Sequence, residues 1–145
     1  MRSLGGIAIL ILIVNIASCK VEPEQINYGK EACYYCSMTI VDHQHASELV
    51  TTKGKVYKYD AIECLINDIK DRDTTSLGLL LVSDYSNPGN LIPATSATFI
   101  ISEEIPSPMG AFLSAFSNKE AAELIKSERG GSLYNWQLVR QQIEK

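Results

Sequence analysis

Soft metal ligands are concentrated in the segment "ACYYCSMTIVDHQHA", residues 32–46. It carries five side chains that can bind a metal ion: Cys33, Cys36, Met38, His43 and His45. Thiolate and thioether sulfurs are soft donors that suit Cu(I), zinc or iron–sulfur clusters, whereas imidazole suits several ions. A neutral thioether is a weak ligand for Zn²⁺, whose structural sites use Cys and His in fours. A methionine beside cysteines therefore favours Cu(I), which needs few ligands and little charge.

The spacing of Cys36 and Met38 predicts that they share one face of an extended segment. The β-branched run 39–41 predicts an extended chain over residues 36–41, and side chains two apart along a strand point the same way. The pair could then chelate one ion. Two other interpretations stay open: Met38 as a core side chain, and a disulfide between Cys33 and Cys36.

A first run of predicted elements follows this segment. Strands are expected on either side of Lys53 and Gly54, where β-branched and aromatic residues alternate with polar ones. A helix comes next, because positions 62, 65, 66 and 69 are apolar at helical spacing and Asp60 and Glu63 have the spacing of a capping box. Residues 77–82 predict a buried strand, so the order is strand, strand, helix, strand.

The same order is predicted a second time. Residues 87–93 contain a Pro-Gly pair and predict a loop. Strands are then expected at 97–102 and 109–116, followed by a helix that opens on a capping box at 117–120 and ends at Gly130 and Gly131. A strand at 132–136 and a final helix from Gln137 complete the pattern. We therefore predict an α+β protein of two related ββαβ units, residues 32–86 and 94–145.

His43, His45 and Cys64 are the remaining candidate ligands. Both histidines have polar neighbours, a pattern typical of a surface turn, and metal ligation is the alternative. Cys64 lies roughly 150° from the apolar stripe of its helix, at about 100° per residue, so we expect it to point away from the core of its own unit. It could pack against the second unit, pair with another cysteine, or lie near the metal.

The N-terminal residues predict export. Arg2 precedes an apolar run over 4–16 that is too short to span a membrane comfortably and is typical of a signal peptide. The ending "IASC" resembles a bacterial lipobox, which implies that residues 1–18 are cleaved, that Cys19 is lipidated, and that 19–31 form a tether. We expect a lipid anchor and an extracytoplasmic location in the bacterial cell envelope. Three cysteines then remain, an odd number that disulfides alone do not explain.

Charge argues against one class of partner. The chain has 13 basic and 17 acidic residues and a net charge of −4, with no basic stripe along any predicted element. Because binding to a phosphate backbone depends on such positive surface, a nucleic acid is not expected as partner.

Three stretches, "CYYCSM", "KVYKYDAIECL" and "SPMGAFLSAFSNKEAAELIKSERGG", resemble the NosL family of copper-binding lipoproteins. The likeness covers about residues 32–136, and Ser37 stands where the family usually has Gly. The resemblance implies a fold of two ββαβ units and Cu(I) ligands at Cys36, Met38 and Met109. Cys33, which is not a uniform feature of the family, is a further candidate ligand because of its place in the same segment.

The resemblance also implies a function. Such a protein would be a membrane-tethered chaperone, not an enzyme, that holds Cu(I) and passes it by ligand exchange, and the expected recipient is nitrous-oxide reductase. Two alternatives use Cys33 and Cys36 differently. A thiol–disulfide oxidoreductase is one, although redox C-x-x-C pairs usually open a helix and a strand-like run follows here. A structural zinc module that adds His43 or His45 is the other.

Overall fold

The structure is a computed structural model that describes residues 20–145. The predicted signal peptide and Cys19 lie outside the described residues. The described residues form three α-helices: α1, Ile62–Ile69; α2, Lys119–Arg129; and α3, Trp136–Ile143. They also form seven strands: β1, Ser47–Thr51; β2, Val56–Tyr59; β3, Leu77–Asp84; β4, Asn87–Pro93; β5, Thr98–Ile101; β6, Leu113–Phe116; and β7, Ser132–Tyr134. Within this part of the chain, no helix is long and apolar enough to cross a membrane.

All seven strands belong to one mixed sheet, so the predicted α+β class is confirmed. The sheet order is β2-β1-β3-β6-β5-β7, and β4 pairs with β3 off this path. The first three strands are antiparallel, as are the last three. The two groups meet where β3 and β6 pair in parallel through Asp84 and Ala115. The sheet is therefore continuous across the middle of the chain.

The predicted hairpin and first helix are present. β1 and β2 pair on either side of Lys53 and Gly54, and Gly54 has a φ of 78°, a conformation that glycine adopts without steric cost. The four stripe residues of α1 are all buried: Ile62, Leu65, Ile66 and Ile69. This face packs on β1, β2 and β6 and also contacts α3. α1 therefore touches strands from both halves of the sheet.

The start of α1 differs from the prediction. Its N-cap is Ala61, and no side chain caps the helix. Asp60 and Glu63 are both buried, and the carboxylate of Glu63 accepts hydrogen bonds from Ser107 and Ala111 instead of reaching back to the helix start. The predicted capping box is wrong because a distant loop supplies partners for Glu63.

The predicted loop at 87–93 is also wrong, since these residues form β4. β4 is paired on one side only, and an edge position tolerates a proline that cannot donate to a neighbouring strand. The register shifts between Ser83↔Leu91 and Asp84↔Asn87. Pro88 and Gly89 therefore lie in an irregularity of the ladder and do not end the strand.

Smaller differences occur in the second half. The strand predicted at 109–116 begins only at Leu113, because the chain turns first, with positive φ at Gly110 and Phe112. The N-cap of α2 is Asn118, whose side chain accepts from two backbone N–H groups of the first turn. Gly130, with a φ of 70°, ends α2 as predicted.

Part of the predicted tether is packed against the domain. The Glu24 amide donates to Glu48 Oε1 at 3.0 Å, and Lys58 Nζ donates to the carbonyl of Gln25 at 2.8 Å. Ile26 is buried in the core. The C-terminal part of segment 19–31 is therefore a structural part of the domain.

Candidate metal site

The first two thiols lie on a tight loop that precedes the sheet. The Cys33 amide donates to the Met38 carbonyl at 2.7 Å, and the Ser37 amide donates to the Cys33 carbonyl at 2.9 Å. Residues 34–36 form a turn, and Ser37 has a φ of 64°, in the left-handed region that favours glycine. The prediction that 36–41 is extended is wrong at its start, since only Thr39 forms a bridge, to Ala32.

The third thiol comes from α1. The sulfur atoms of Cys33, Cys36 and Cys64 all lie within 4.8 Å of one another. Cys33 and Cys64 are 2% and 1% exposed, and Cys36 is half-buried. All three cysteines are free, so the disulfide considered for Cys33 and Cys36 is absent. The structure thus builds a cluster of three thiols with one more accessible member. We refer to these three residues as the thiol cluster.

From the sequence, ligation by Cys64 is only one of three alternatives, beside packing against the second unit and pairing with another cysteine. Its position off the apolar stripe suggested that it would leave the core of its own unit, yet Cys64 is part of the main hydrophobic core. The side of α1 that lies off the stripe is covered by the loop bearing Cys33, which precedes the first strand. The odd number of cysteines was the sequence signal that could have indicated a third thiol.

The three thiols have different pKa values because they hydrogen-bond to one another and are buried to different extents. The Cys64 thiol donates to the sulfur of Cys33 and lowers the pKa of Cys33 to about 5, and the amides of Cys36 and Asp60 act in the same direction. The same hydrogen bond, together with burial, raises the pKa of Cys64. Burial is the largest cause of the raised pKa of Cys36. At neutral pH the cluster therefore holds one thiolate and two thiols.

The spacing of the sulfurs fits a single ion. With a metal–sulfur bond of about 2.3 Å, the length found for zinc thiolates, three sulfurs around a trigonal ion lie about 4 Å apart. Separations of at most 4.8 Å need only small side-chain rotations to reach that value. Because thiolates are soft donors, the cluster suits Cu(I) or Zn²⁺ better than Mg²⁺ or Ca²⁺.

The two predicted thioether ligands are exposed. Met38 lies at the end of the Cys33 loop and is 50% exposed. Met109 is 43% exposed in a turn closed by the Gly110 amide, which donates to the Ser107 carbonyl at 3.0 Å. Their participation in metal binding stays a prediction. Their exposure means that both thioethers can be approached from solvent.

The two histidines have separate roles. His45 is buried, which contradicts the prediction of a surface turn for both rings. It hydrogen-bonds to Asp42 Oδ2 at 2.7 Å through Nδ1 and to Ser114 Oγ at 3.0 Å through Nε2. His43 is exposed and stacks on Tyr28 with ring centroids 3.6 Å apart. Neither histidine belongs to the thiol cluster of the described residues.

The redox alternative for Cys33 and Cys36 has little structural support. In redox C-x-x-C pairs the thiolate is stabilised by the N-terminus of a helix that begins at the motif. Here residues 34–36 form a turn, Ser37 takes a left-handed conformation, and the next residues are irregular. The low pKa of Cys33 arises from the neighbouring thiol instead.

Comparisons with known proteins agree with this architecture. The chain is similar to the crystal structure of the copper chaperone NosL from Shewanella denitrificans, with 25% sequence identity and a TM-score of 0.69. The match covers 80% of this chain and 93% of that chain. No curated protein matches the chain. A family model, NosL, matches residues 24–143, most of the sequence, and the chain therefore belongs to the NosL family.

Proposed function

We propose that this protein is a Cu(I) chaperone that holds the ion in the thiol cluster and passes it on by ligand exchange. The observation that carries the proposal is the meeting of three sulfurs from two distant segments within 4.8 Å. One solved structure to which the chain is similar is that of a copper chaperone. A chaperone needs a site that binds its ion firmly and still exchanges ligands, and no covalent chemistry is required of the chain.

The donor set favours Cu(I) over zinc. Structural zinc sites are almost always four-coordinate, whereas the thiol cluster of the described residues offers three ligands and no histidine or carboxylate as a fourth. Cu(I) prefers soft sulfur and accepts a low coordination number. The buried position of Cys33 and Cys64 also limits access of water and oxidants to the ion.

Met38 and Met109 are proposed as the ligands of exchange. The resting ion would be bound by Cys33, Cys36 and Cys64, of which Cys36 is the most exposed. An ion that leaves the two buried sulfurs would then pass to Cys36 and to an exposed thioether. Neutral thioethers bind Cu(I) more weakly than thiolates do, so they suit a transfer step.

The wider setting is part of the same proposal. We infer cleavage of residues 1–18, lipidation of Cys19, an extracytoplasmic location in the cell envelope, and nitrous-oxide reductase as recipient. The sequence resemblance supports these inferences. Mass spectrometry of the mature N-terminus and the membrane fraction of Cys19→Ser test the anchor. Transfer of Cu(I) from the loaded chain to the copper-free reductase tests the recipient.

We also infer that the two halves are related ββαβ units. In each half the first strand lies between the second and the third, since β1 lies between β2 and β3 and β5 lies between β6 and β7. In each half a helix also separates the second strand from the third. This shared arrangement supports an internal repeat, with β4 as an addition between the units.

Cu(I) titration of the full chain under reducing conditions tests the site. Competition with a chromophoric Cu(I) chelator should give tight binding of one ion per chain. Replacing any of Cys33, Cys36 or Cys64 by Ser should weaken binding by at least about tenfold, because a hydroxyl is a hard donor that Cu(I) binds poorly. Met38→Leu and Met109→Leu should slow transfer to the chelator more than they lower affinity.

A matched control is available at Ala122, which is buried in α2. Ala122→Ser places a hydroxyl in the core without removing a sulfur, so its affinity for Cu(I) should equal that of the parent protein. Unchanged affinity in all three cysteine variants would refute the assigned site. Zinc that Cu(I) fails to displace from the purified protein would favour the structural zinc module instead.

A further inference from the structure

Glu63, which precedes Cys64 directly, is one of several buried carboxylates among the described residues. Its side chain is buried, with 3% of the residue exposed. One oxygen, Oε1, accepts a hydrogen bond from the hydroxyl of Ser107 and another from the amide of Ala111, at 3.2 Å for the latter. The Leu113 amide also donates to Ser107 Oγ at 3.4 Å. Glu63 thus attaches the segment before β6 to the first turn of α1.

The attached segment is the one that carries Met109. Ser107 and Ala111 lie two residues before and two residues after Met109, and between them the chain makes the turn closed by Gly110. Both ends of the turn are therefore fixed to a single oxygen atom, while the Met109 side chain is free to contact solvent. Glu63 and Met109 also line the same cavity of about 510 Å³. The position of the thioether relative to α1 depends on this attachment.

The burial of the Glu63 carboxylate carries an energetic cost. Its second oxygen, Oε2, is buried and has no hydrogen-bond partner among the described residues. Burying a carboxylate with an unpaired oxygen is unfavourable, and an apolar residue of similar size avoids that cost. The helix N-terminus offsets part of it, because partial positive charge collects there. An acidic residue here is best explained by what its bonded oxygen holds in place.

We propose that Glu63 is a positioning residue that holds Met109 beside the N-terminal turn of α1, next to the residue that supplies the Cys64 thiol. This inference rests on the proposed function, since it assigns Glu63 a part in moving Cu(I) from thiolates to a thioether. Consecutive Cα atoms are about 3.8 Å apart. Glu63 therefore holds the turn that carries Met109, and the next residue, Cys64, carries one thiol of the cluster, on a side of the helix about 100° away.

A double-mutant cycle on the full chain in detergent tests this role. The variants are Glu63→Ala, Met109→Leu and their combination, and the readout is the rate of Cu(I) transfer to a chromophoric chelator. Met109→Leu should slow transfer. Glu63→Ala should slow it by about tenfold, since a displacement of the order of an ångström has large effects on a step that needs close approach. In the Met109→Leu background, Glu63→Ala should have no further effect, because the group it positions is gone.

Two further variants separate positioning from general stability. Glu63→Gln retains an acceptor oxygen for Ser107 and Ala111, so its transfer rate should remain near that of the parent protein. Glu120→Ala is the matched control, because Glu120 is the second residue of α2 as Glu63 is of α1, but is exposed. It should leave transfer unchanged. If Glu63→Ala fails to fold, Ser107→Ala removes the same contact from the loop side and replaces it in the cycle.

The outcomes separate this inference from the proposed function. Additive effects of Glu63→Ala and Met109→Leu, or a normal transfer rate in Glu63→Ala, would overturn the positioning role. A normal rate in Met109→Leu would overturn both that role and the part assigned to Met109. Unchanged Cu(I) affinity in the cysteine variants would instead overturn copper binding by the thiol cluster.

Discussion

Binding of Cu(I) by the thiol cluster should release about two protons at neutral pH. Cys36 and Cys64 have raised pKa values and are protonated at pH 7, whereas the pKa of Cys33, lowered to about 5 by the Cys64 thiol, leaves Cys33 ionised already. A thiol must lose its proton to bind a metal ion as a thiolate, so Cys36 and Cys64 each release one proton when they bind. The logarithm of the affinity should therefore rise by about 2 for each pH unit between pH 6.5 and 8.

The number of protons distinguishes the possible ligand sets. If Cu(I) were bound by Cys33, Cys36 and thioethers alone, only Cys36 would lose a proton, and the slope would be about 1. Calorimetry in buffers of different ionisation enthalpy measures the number directly, and chelator competition at several pH values measures the slope. In Cys64→Ala the hydrogen-bond donor that lowers the pKa of Cys33 is lost, so the pKa of Cys33 should rise. One sulfur ligand is lost as well, and the affinity should be lower than in the parent protein at every pH.

A slope near zero in the parent protein would refute the reasoning, because it would mean that no protonated thiol becomes a ligand. A slope near 3 would refute the low pKa of Cys33, since all three thiols would then be protonated before binding. A slope near zero would therefore contradict binding by all three thiols, and a slope near 3 would contradict the assignment of one thiolate and two thiols to the cluster.

Two predictions concern stability, measured by chemical and thermal unfolding without metal. Ser37→Gly should raise the unfolding free energy by about 1 kcal/mol, because Ser37 has a φ of 64° and glycine adopts that conformation without strain; Ser127→Gly, in exposed α2, should lower it. Burial raises the pKa of Glu48 to about 7, so its stabilising contribution is complete below about pH 4.5 and is lost as pH rises to 7. Glu48→Gln should therefore be more stable than the parent protein at pH 8, by at most about 3 kcal/mol, and equally stable near pH 4.5. Equal stability at both pH values would contradict the raised pKa, and a destabilised Ser37→Gly would contradict the strain.

Local sequence patterns correctly predicted the elements that are determined by residues close together in the chain. Spacing of apolar residues placed α1 and its buried face, the Lys53 and Gly54 pair marked the turn between β1 and β2, and Gly130 marked the end of α2. Soft donors within one short segment indicated a sulfur site before any contact was known. In each case the residues that decide the outcome are neighbours in the chain, so side-chain type and spacing suffice.

The tertiary structure decided what depends on residues far apart in the chain. Cys64 joins the cluster because the loop bearing Cys33 folds over the start of α1, and no periodicity within the helix encodes that cover. Glu63 fits a capping box by spacing, yet its carboxylate binds Ser107, 44 residues away, because burial leaves that hydroxyl and the Ala111 amide as its partners. β4 is a strand despite its proline because it pairs with β3 on one side only, and such an edge position tolerates proline. A short segment of sequence specifies which ligands are present, but only packing between segments decides which of them meet.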